Sequence, residues 1–132
     1  MNKPSLPIAV VLGNAATGLY VIRELGQAGV RVHGVSRRLE CGSKSRFLDR
    51  SAVCRTDDEV LEYLFRELSN QRPKPVLIPA SDHYIDLVSN HAAELSSHFE
   101  FQASYADGLA RSLTNKSALY DLCTMHDVAL PN

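Results

Sequence analysis

Unbroken apolar runs mark two buried strands in the chain. Residues 8–12 read Ile-Ala-Val-Val-Leu, and residues 76–78 read Val-Leu-Ile. Such runs are typical of strands covered on both faces of a parallel sheet. Residues 30–36 alternate apolar and polar positions and predict a further strand, and short strands are expected at 52–54 and 99–101. The pattern therefore predicts a sheet of about five strands.

Helix-period patterns fill the intervals between these strands. Leu19, Ile22 and Leu25 share one face of a helix predicted over residues 17–28, which Gly29 is placed to end. Further apolar stripes predict helices around residues 60–68, 85–95, 109–113 and 119–123. Strands that alternate with helices indicate a mostly parallel sheet with helices on both sides. The predicted fold class is α/β, a Rossmann-like three-layer sandwich.

Polar residues predict where several of these elements begin or end. Residues 56–59 and 104–107 each have the spacing of a capping box, in which side chains satisfy the first amides of a helix. Asp127 suits a left-handed position after the last helix. Residues 37–50 are polar and poorly periodic, so we expect a loop there, with a short helical turn near 43–48.

The first strand runs into a glycine loop. Residues 13–18 read Gly-Asn-Ala-Ala-Thr-Gly, a G-x-A-x-x-G variant of the dinucleotide fingerprint. The first glycine permits a sharp turn, and the last permits close packing of helix on strand. The amides at the start of the next helix offer an anion site. This spacing indicates the fold more strongly than it indicates a particular ligand.

Three loops are predicted to form one crevice, because ligands of open parallel sheets bind outside the carboxyl ends of the strands. They are residues 13–18, 36–38 and 79–82. Strand two ends without an acidic residue for a ribose, so NAD is disfavoured and NADP is allowed, with Arg37 and Arg38 on its 2′-phosphate. The alternative is that these arginines are solvated loop residues. Similarly, Ser81 and Asp82 are expected to cap the next helix.

Other site chemistries find little support in the sequence. Residues 19–20, Leu-Tyr, stand where a Walker A loop requires Lys-Ser/Thr. The five histidines form no compact ligand set, so no metal site is predicted. No catalytic residue is predicted either. His83 follows Ser81 and Asp82 in the crevice loop, but adjacent residues cannot face one another as a catalytic triad.

Composition narrows the classes of protein further. The 132 residues suit one domain, with 45% hydrophobic and 22% charged residues. A net charge of -1 gives no electrostatic case for nucleic acid or an anionic membrane. No apolar run approaches the roughly twenty residues of a membrane span, and no signal peptide is expected. The three unpaired cysteines suit a reducing cytoplasm.

The order of the motifs resembles a known family. They are residues 11–18 (the glycine loop), 45–47 (Ser-Arg-Phe), 77–82 (Leu-Ile-Pro-Ala-Ser-Asp), 115–123 (the last helix) and 126–131 (His-Asp-Val-Ala-Leu-Pro). Together they are similar to the N-terminal, or pre-ATP-grasp, domain of ATP-grasp carboxylate–amine ligases, which include carbamoyl-phosphate-synthase-like proteins. The resemblance covers essentially the whole chain.

The resemblance implies an activity and roles for particular residues. Family members use ATP and magnesium to join a carboxylate to an amine through an acyl phosphate. Gly13, Asn14, Ser81 and Asp82 become expected contacts to the carboxylate or amine substrate. Lys116, a cation placed unfavourably at a helix N-terminus, becomes the expected contact to ATP phosphate.

The resemblance also implies that residues 1–113 form the pre-ATP-grasp domain. Residues 114–132 then form a helix and an extended tail leading toward an ATP-grasp domain, supplied in cis or by a separate subunit. Two positions depart from the family pattern, Asn115 for an acid and Asp127 for glycine. The chain alone is expected to be catalytically incomplete. Two alternatives remain open: a small NADP- or nucleotide-binding module, and a non-catalytic domain that docks a partner or forms a homodimer.

Overall fold

A parallel sheet of four strands forms the centre of the computed structural model, which describes residues 4–130. The strands are β1 (Ala9–Leu12), β2 (Val32–Ser36), β3 (Leu48–Val53) and β4 (Val76–Pro79). Their order across the sheet is β3-β2-β1-β4, and every neighbouring pair is parallel. All residues of β1 and β2 are buried, as expected for central strands covered on both faces.

Helices and helical turns connect the strands and follow the last one. They are α1 (Ala16–Gln27), a 3-10 turn (Cys41–Lys44), α2 (Asp57–Tyr63, continued by a π-helical turn at Leu64–Leu68), α3 (Asp82–Asn90), α4 (Ala92–Leu95), α5 (Ala103–Ala106), α6 (Leu109–Thr114) and α7 (Lys116–Met125).

Two hydrophobic layers cover the two faces of the sheet. Side chains alternate along a strand, so Val10 and Leu12 of β1 point into one layer and Val11 points into the other. The first layer contains apolar side chains of α2, α3 and α4, whereas the second contains Ile22 of α1. The arrangement is the three-layer α/β sandwich that the strand–helix alternation predicts, and the fold class is confirmed.

The predicted number of strands is wrong by one. Residues 99–101 make a single parallel bridge between Glu100 and Val76 instead of a fifth strand. The amide of Leu77 donates to the Glu100 carbonyl at 2.8 Å, and the Glu100 amide donates to Pro75 at 2.9 Å. Because the chain enters α5 at Ala103, no length remains for a longer ladder.

The third strand is longer and begins earlier than predicted. It occupies Leu48–Val53 instead of residues 52–54, and the helical turn before it lies at Cys41–Lys44 instead of 43–48. At the edge of the sheet its residues 49–51 are exposed and polar. An edge strand with exposed polar residues on both faces lacks the apolar run by which the central strands are recognised.

Several predicted helix boundaries are confirmed. Thr56 caps the start of α2: its hydroxyl accepts the Glu59 amide at 3.2 Å, and the Glu59 carboxylate accepts the Arg55 amide at 2.6 Å. Gly29 and Asp127 have φ values of 82° and 54°, the left-handed conformation expected after α1 and α7.

The capping box predicted at residues 104–107 does not form. Helix α5 begins at Ala103, and no side chain caps it. Gly108, with φ 82°, then separates α5 from α6. A left-handed residue ends the hydrogen-bonding pattern, so the expected single helix becomes two short ones.

The C-terminal segment consists of α6 and α7. Asn115 caps the start of α7, and its side-chain oxygen accepts the Ala118 amide at 3.1 Å. No residue of α7 is buried. The division of the chain at residues 113 and 114 stays a prediction, and the end of the predicted tail, residues 131–132, lies outside the described residues. Within residues 4–130, no helix is long and apolar enough to cross a bilayer.

Candidate functional site

The glycine loop has the geometry that its spacing predicts. Gly13 has a φ of 97°, a conformation that favours glycine. A Cβ on Gly18 would lie 1.8 Å from the carbonyl oxygen of Gly13, so a side chain there cannot coexist with this turn. The two glycines let the loop fold tightly at the carboxyl end of β1.

Asn14 lies inside this loop and is fully buried. Its side-chain nitrogen lies 3.4 Å from the Ser36 hydroxyl and 3.5 Å from the Ser43 hydroxyl. The Ser36 hydroxyl also donates to the Arg38 carbonyl at 2.7 Å. These bonds join the glycine loop to the end of β2 and to the 3-10 turn. The Asn14 side chain therefore organises the loops and does not face solvent.

Glu40 occupies part of the anion site at the start of α1. Its Oε2 accepts the backbone amide of Asn14 at 2.8 Å. In a dinucleotide-binding loop such amides face the pyrophosphate. Here the protein supplies its own carboxylate, so a second anion would meet like charge, and the arrangement does not fit a dinucleotide cofactor bound in the usual way.

A crevice of about 450 Å³ lies beside this loop, between the end of β2 and the start of α3. Its lining residues are Arg37, Arg38, Glu40, Ser81, His83 and Tyr84. Gly13 adjoins it, because a Cβ there would lie 3.2 Å from the Tyr84 ring and 3.8 Å from the Ser81 hydroxyl. The predicted loops thus meet at one place, outside the carboxyl ends of the parallel strands.

Asp57 contacts residues on two sides of the crevice. As the first residue of α2, it lies 3.8 Å from an Arg37 nitrogen and 2.8 Å from Nε2 of His83. A carboxylate at a helix N-terminus is favoured by the helix dipole. Arg37 and His83 are thereby positioned, whereas Arg38 has no ion-pair partner among the described residues.

Tyr84 supplies a buried hydroxyl next to the crevice. The residue is 5% exposed, and its hydroxyl has no hydrogen-bond partner among the described residues. Burial is the main cause, and the negative charge of Glu40 the second, of a pKa of Tyr84 that is raised to about 12. The phenol therefore stays protonated at neutral pH and keeps its hydrogen-bond donor.

The other predicted site residues are Ser81 and Asp82, at the start of α3, and Lys116, in α7. Ser81 immediately precedes α3, but its side chain makes no capping bond, and the exposed Asp82 is the first residue of the helix. Lys116 is the exposed first residue of α7. Among residues 4–130, no three imidazole, thiol or carboxylate groups converge as a metal site.

Sequence reasoning did not select Glu40, Asp57 or Tyr84 as site residues. Glu40 lies four positions after the end of β2, and this proximity was the one available signal. Asp57 reads as part of a helix start and Tyr84 as a core residue. Their roles depend on contacts between residues more than twenty positions apart.

Comparison with known families and with curated protein sequences found no match. Among solved structures, N5-carboxyaminoimidazole ribonucleotide synthetase from Thermotoga maritima is similar to this chain. The TM-score is 0.65, and the match covers 96% of the residues of this chain. The chain spans 32% of that protein, and the two are 9% identical. A likeness at this identity establishes the fold: the chain has the Rossmann-like architecture of one part of a larger synthetase.

Proposed function

We propose that this chain is the N-terminal substrate-binding domain of an ATP-dependent carboxylate–amine ligase of the ATP-grasp type, catalytically incomplete by itself. The motif order given above supports this assignment. So does the structural neighbour, an ATP-grasp ligase that the chain matches over nearly its whole length while spanning a third of that enzyme. The observation that carries the proposal is the crevice, which brings a free arginine, a carboxylate and a buried phenol to one place.

The crevice has charges of both signs, as a carboxylate or amine substrate requires. Arg38 is available to a carboxylate, and Arg side chains bind that group through paired hydrogen bonds. Glu40 is available to an ammonium group through the oxygen that does not accept the Asn14 amide. The Tyr84 hydroxyl adds a neutral donor, so the crevice can orient a small molecule by several contacts.

Residues of the glycine loop and of the start of α3 complete the proposed substrate site. Gly13 lets the Tyr84 ring lie close against the glycine loop, because a Cβ there would lie 3.2 Å from that ring. Ser81 contributes a hydroxyl, and Asp82 lies in the adjacent first turn of α3. Asn14 contributes by holding the loop, since its own side chain is buried.

In such a ligase the carboxylate oxygen attacks the terminal phosphoryl group of ATP and ADP leaves. The amine then attacks the acyl carbon of the acyl phosphate and inorganic phosphate leaves. Residues 1–113 would orient the substrate, which lowers the barrier by positioning. Lys116 would contact ATP phosphate at the junction with residues 114–132, and magnesium would bind to the ATP-grasp domain.

Steady-state assays on this chain together with its proposed ATP-grasp domain, in cis or as a separate subunit, test the proposal. We expect ADP release that depends on both a carboxylate and an amine, measured against panels of amino acids and dicarboxylates. Arg38→Gln should raise KM for the crevice substrate about tenfold and leave KM for ATP unchanged. Arg55→Gln removes an exposed charge elsewhere and is the matched control. ATP cleavage that is independent of every carboxylate and amine would contradict the proposal.

A second candidate is an NADP-binding module, because Arg37 and Arg38 follow β2 where a 2′-phosphate would lie. The carboxylate of Glu40 on the Asn14 amide weighs against it. Titration with NADPH, followed by its fluorescence, separates the two. Saturable binding that Arg37→Gln and Arg38→Gln abolish would favour the module over the ligase domain.

A further inference from the structure

We infer that the chain has a second ligand site, for a small organic phosphate, in a groove between α1 and the connection from β2 to β3. We name it the basic groove; Leu19, Arg23, Lys44, Arg46 and Phe47 define it. It shares no lining residue with the crevice. The inference is therefore independent of the ligase proposal.

The two walls of the basic groove have different origins. Leu19, Arg23 and Gln27 are four residues apart along α1, so they lie on one face of that helix. The opposite wall comes from the 3-10 turn and the residues after it. The groove encloses about 540 Å³, within the range of small-molecule sites.

The basic groove collects positive charge around one concavity without an acidic residue. Arg23, Lys44 and Arg46 line it, and no acidic residue does. None of the three has an ion-pair partner within residues 4–130. Three unneutralised cations around a concavity raise the local concentration of anions.

The groove also has an apolar wall, which narrows the class of ligand. Leu19 and Phe47 both line it, and the Arg46 guanidinium lies 4.9 Å from the centre of the Phe47 ring. This stacking holds the guanidinium in place. Guanidinium and ammonium groups bind phosphate, while Leu19 and Phe47 favour an organic body. Together they fit a phosphate monoester joined to a ring or chain better than inorganic phosphate.

The rate of Cys41 alkylation can report ligand binding in the basic groove. It is exposed and lines the groove, whereas Cys54 is buried and Cys123 lies in α7. A bound ligand should slow alkylation of Cys41 by iodoacetamide and leave Cys123 unchanged. The probes are AMP, ribose 5-phosphate and inorganic phosphate, with adenosine as the uncharged control.

We expect AMP or ribose 5-phosphate to protect Cys41 in a saturable way, at concentrations at least fivefold lower than inorganic phosphate requires. Arg23→Gln, Lys44→Gln and Arg46→Gln should each weaken protection by at least fivefold. Arg55→Gln, an equal loss of charge at an exposed position outside the groove, should not.

Three results would overturn the inference. The first is the absence of saturable protection by either organic phosphate. The second is equal protection by adenosine, and the third is an equal effect of Arg55→Gln. Calorimetric titration with AMP checks each variant, and its circular dichroism spectrum shows whether the variant is folded.

Discussion

Gly18→Ala should destabilise the protein although alanine is the better helix former. Gly18 is the third residue of α1, and replacing glycine by alanine within a helix stabilises by about 1 kcal/mol through propensity alone. The added Cβ, however, would lie 1.8 Å from the Gly13 carbonyl oxygen. That is roughly half the optimal separation of about 3.5 Å between non-bonded atoms. Helix propensity and packing thus predict opposite signs for the change in the free energy of unfolding.

The magnitude follows from which atoms must move. The contacting oxygen belongs to the backbone of a turn with φ 97°, directly after a buried strand, so it cannot move aside as a flexible side chain would. Overpacking typically costs about 1–3 kcal/mol, and more in rigid surroundings. With the cost at the upper end and the propensity gain subtracted, we expect a net loss of about 2 kcal/mol.

Equilibrium unfolding in urea measures this change. A loss of this size moves the midpoint by about 1 M, given the slopes usual for small domains. Thr17→Ala, an exposed neighbour in α1, is the matched control and should stabilise by less than about 0.7 kcal/mol. A Gly18→Ala protein as stable as the wild type would show that the glycine loop is not closed against α1 as described.

Three further predictions concern other parts of the chain. Thr56→Ala should cost about 1 kcal/mol in urea unfolding because its hydroxyl caps α2; Ser81→Ala, whose side chain caps nothing, should cost less than about 0.5 kcal/mol. Tyr84→Phe should leave stability nearly unchanged, since its buried hydroxyl has no described partner, yet weaken crevice ligands in calorimetry. Burial lowers the pKa of His33 below 6.5 despite the opposing effect of Asp49. The unfolded chain therefore binds more protons just below pH 6.5, and the free energy of unfolding falls as the pH drops from 6.5 toward the lower folded pKa. His33→Gln should flatten that slope; an unchanged slope would contradict the assignment.

Features with a strong local signal were predictable from the sequence. The apolar run of β1, the glycines at 13 and 18, and the cap at Thr56 each depend on residues a few positions apart. In such cases spacing alone specifies the backbone, because the hydrogen bonds and close contacts are local. These features were sufficient to predict the fold class.

Features that depend on distant residues were missed. The edge strand β3 has exposed polar residues on both faces and carries no apolar run. The segment around Glu100 has strand-like residues, but it makes one bridge before α5 begins. Local propensity cannot determine how much of a segment finds a partner.

In the candidate site, too, the residues set by local sequence were predictable and the contacts between distant residues were not. Arg37, Arg38 and Ser81 could be placed together because they follow parallel strands. The contact of Glu40 with the Asn14 amide spans 26 positions, and so does that of Asp57 with His83. Nothing in local spacing indicates such pairs.

The central claim is that the crevice binds a small carboxylate or amine substrate. The most direct test is an amide-detected NMR titration of this chain with a panel of amino acids and dicarboxylates, repeated on Arg38→Gln. The account predicts that at least one compound shifts the amides of Gly13, Arg38 and Ser81 in a saturable way, with affinity about tenfold lower in the variant. Shifts confined to other surfaces, or no saturable shift with any compound, would contradict it.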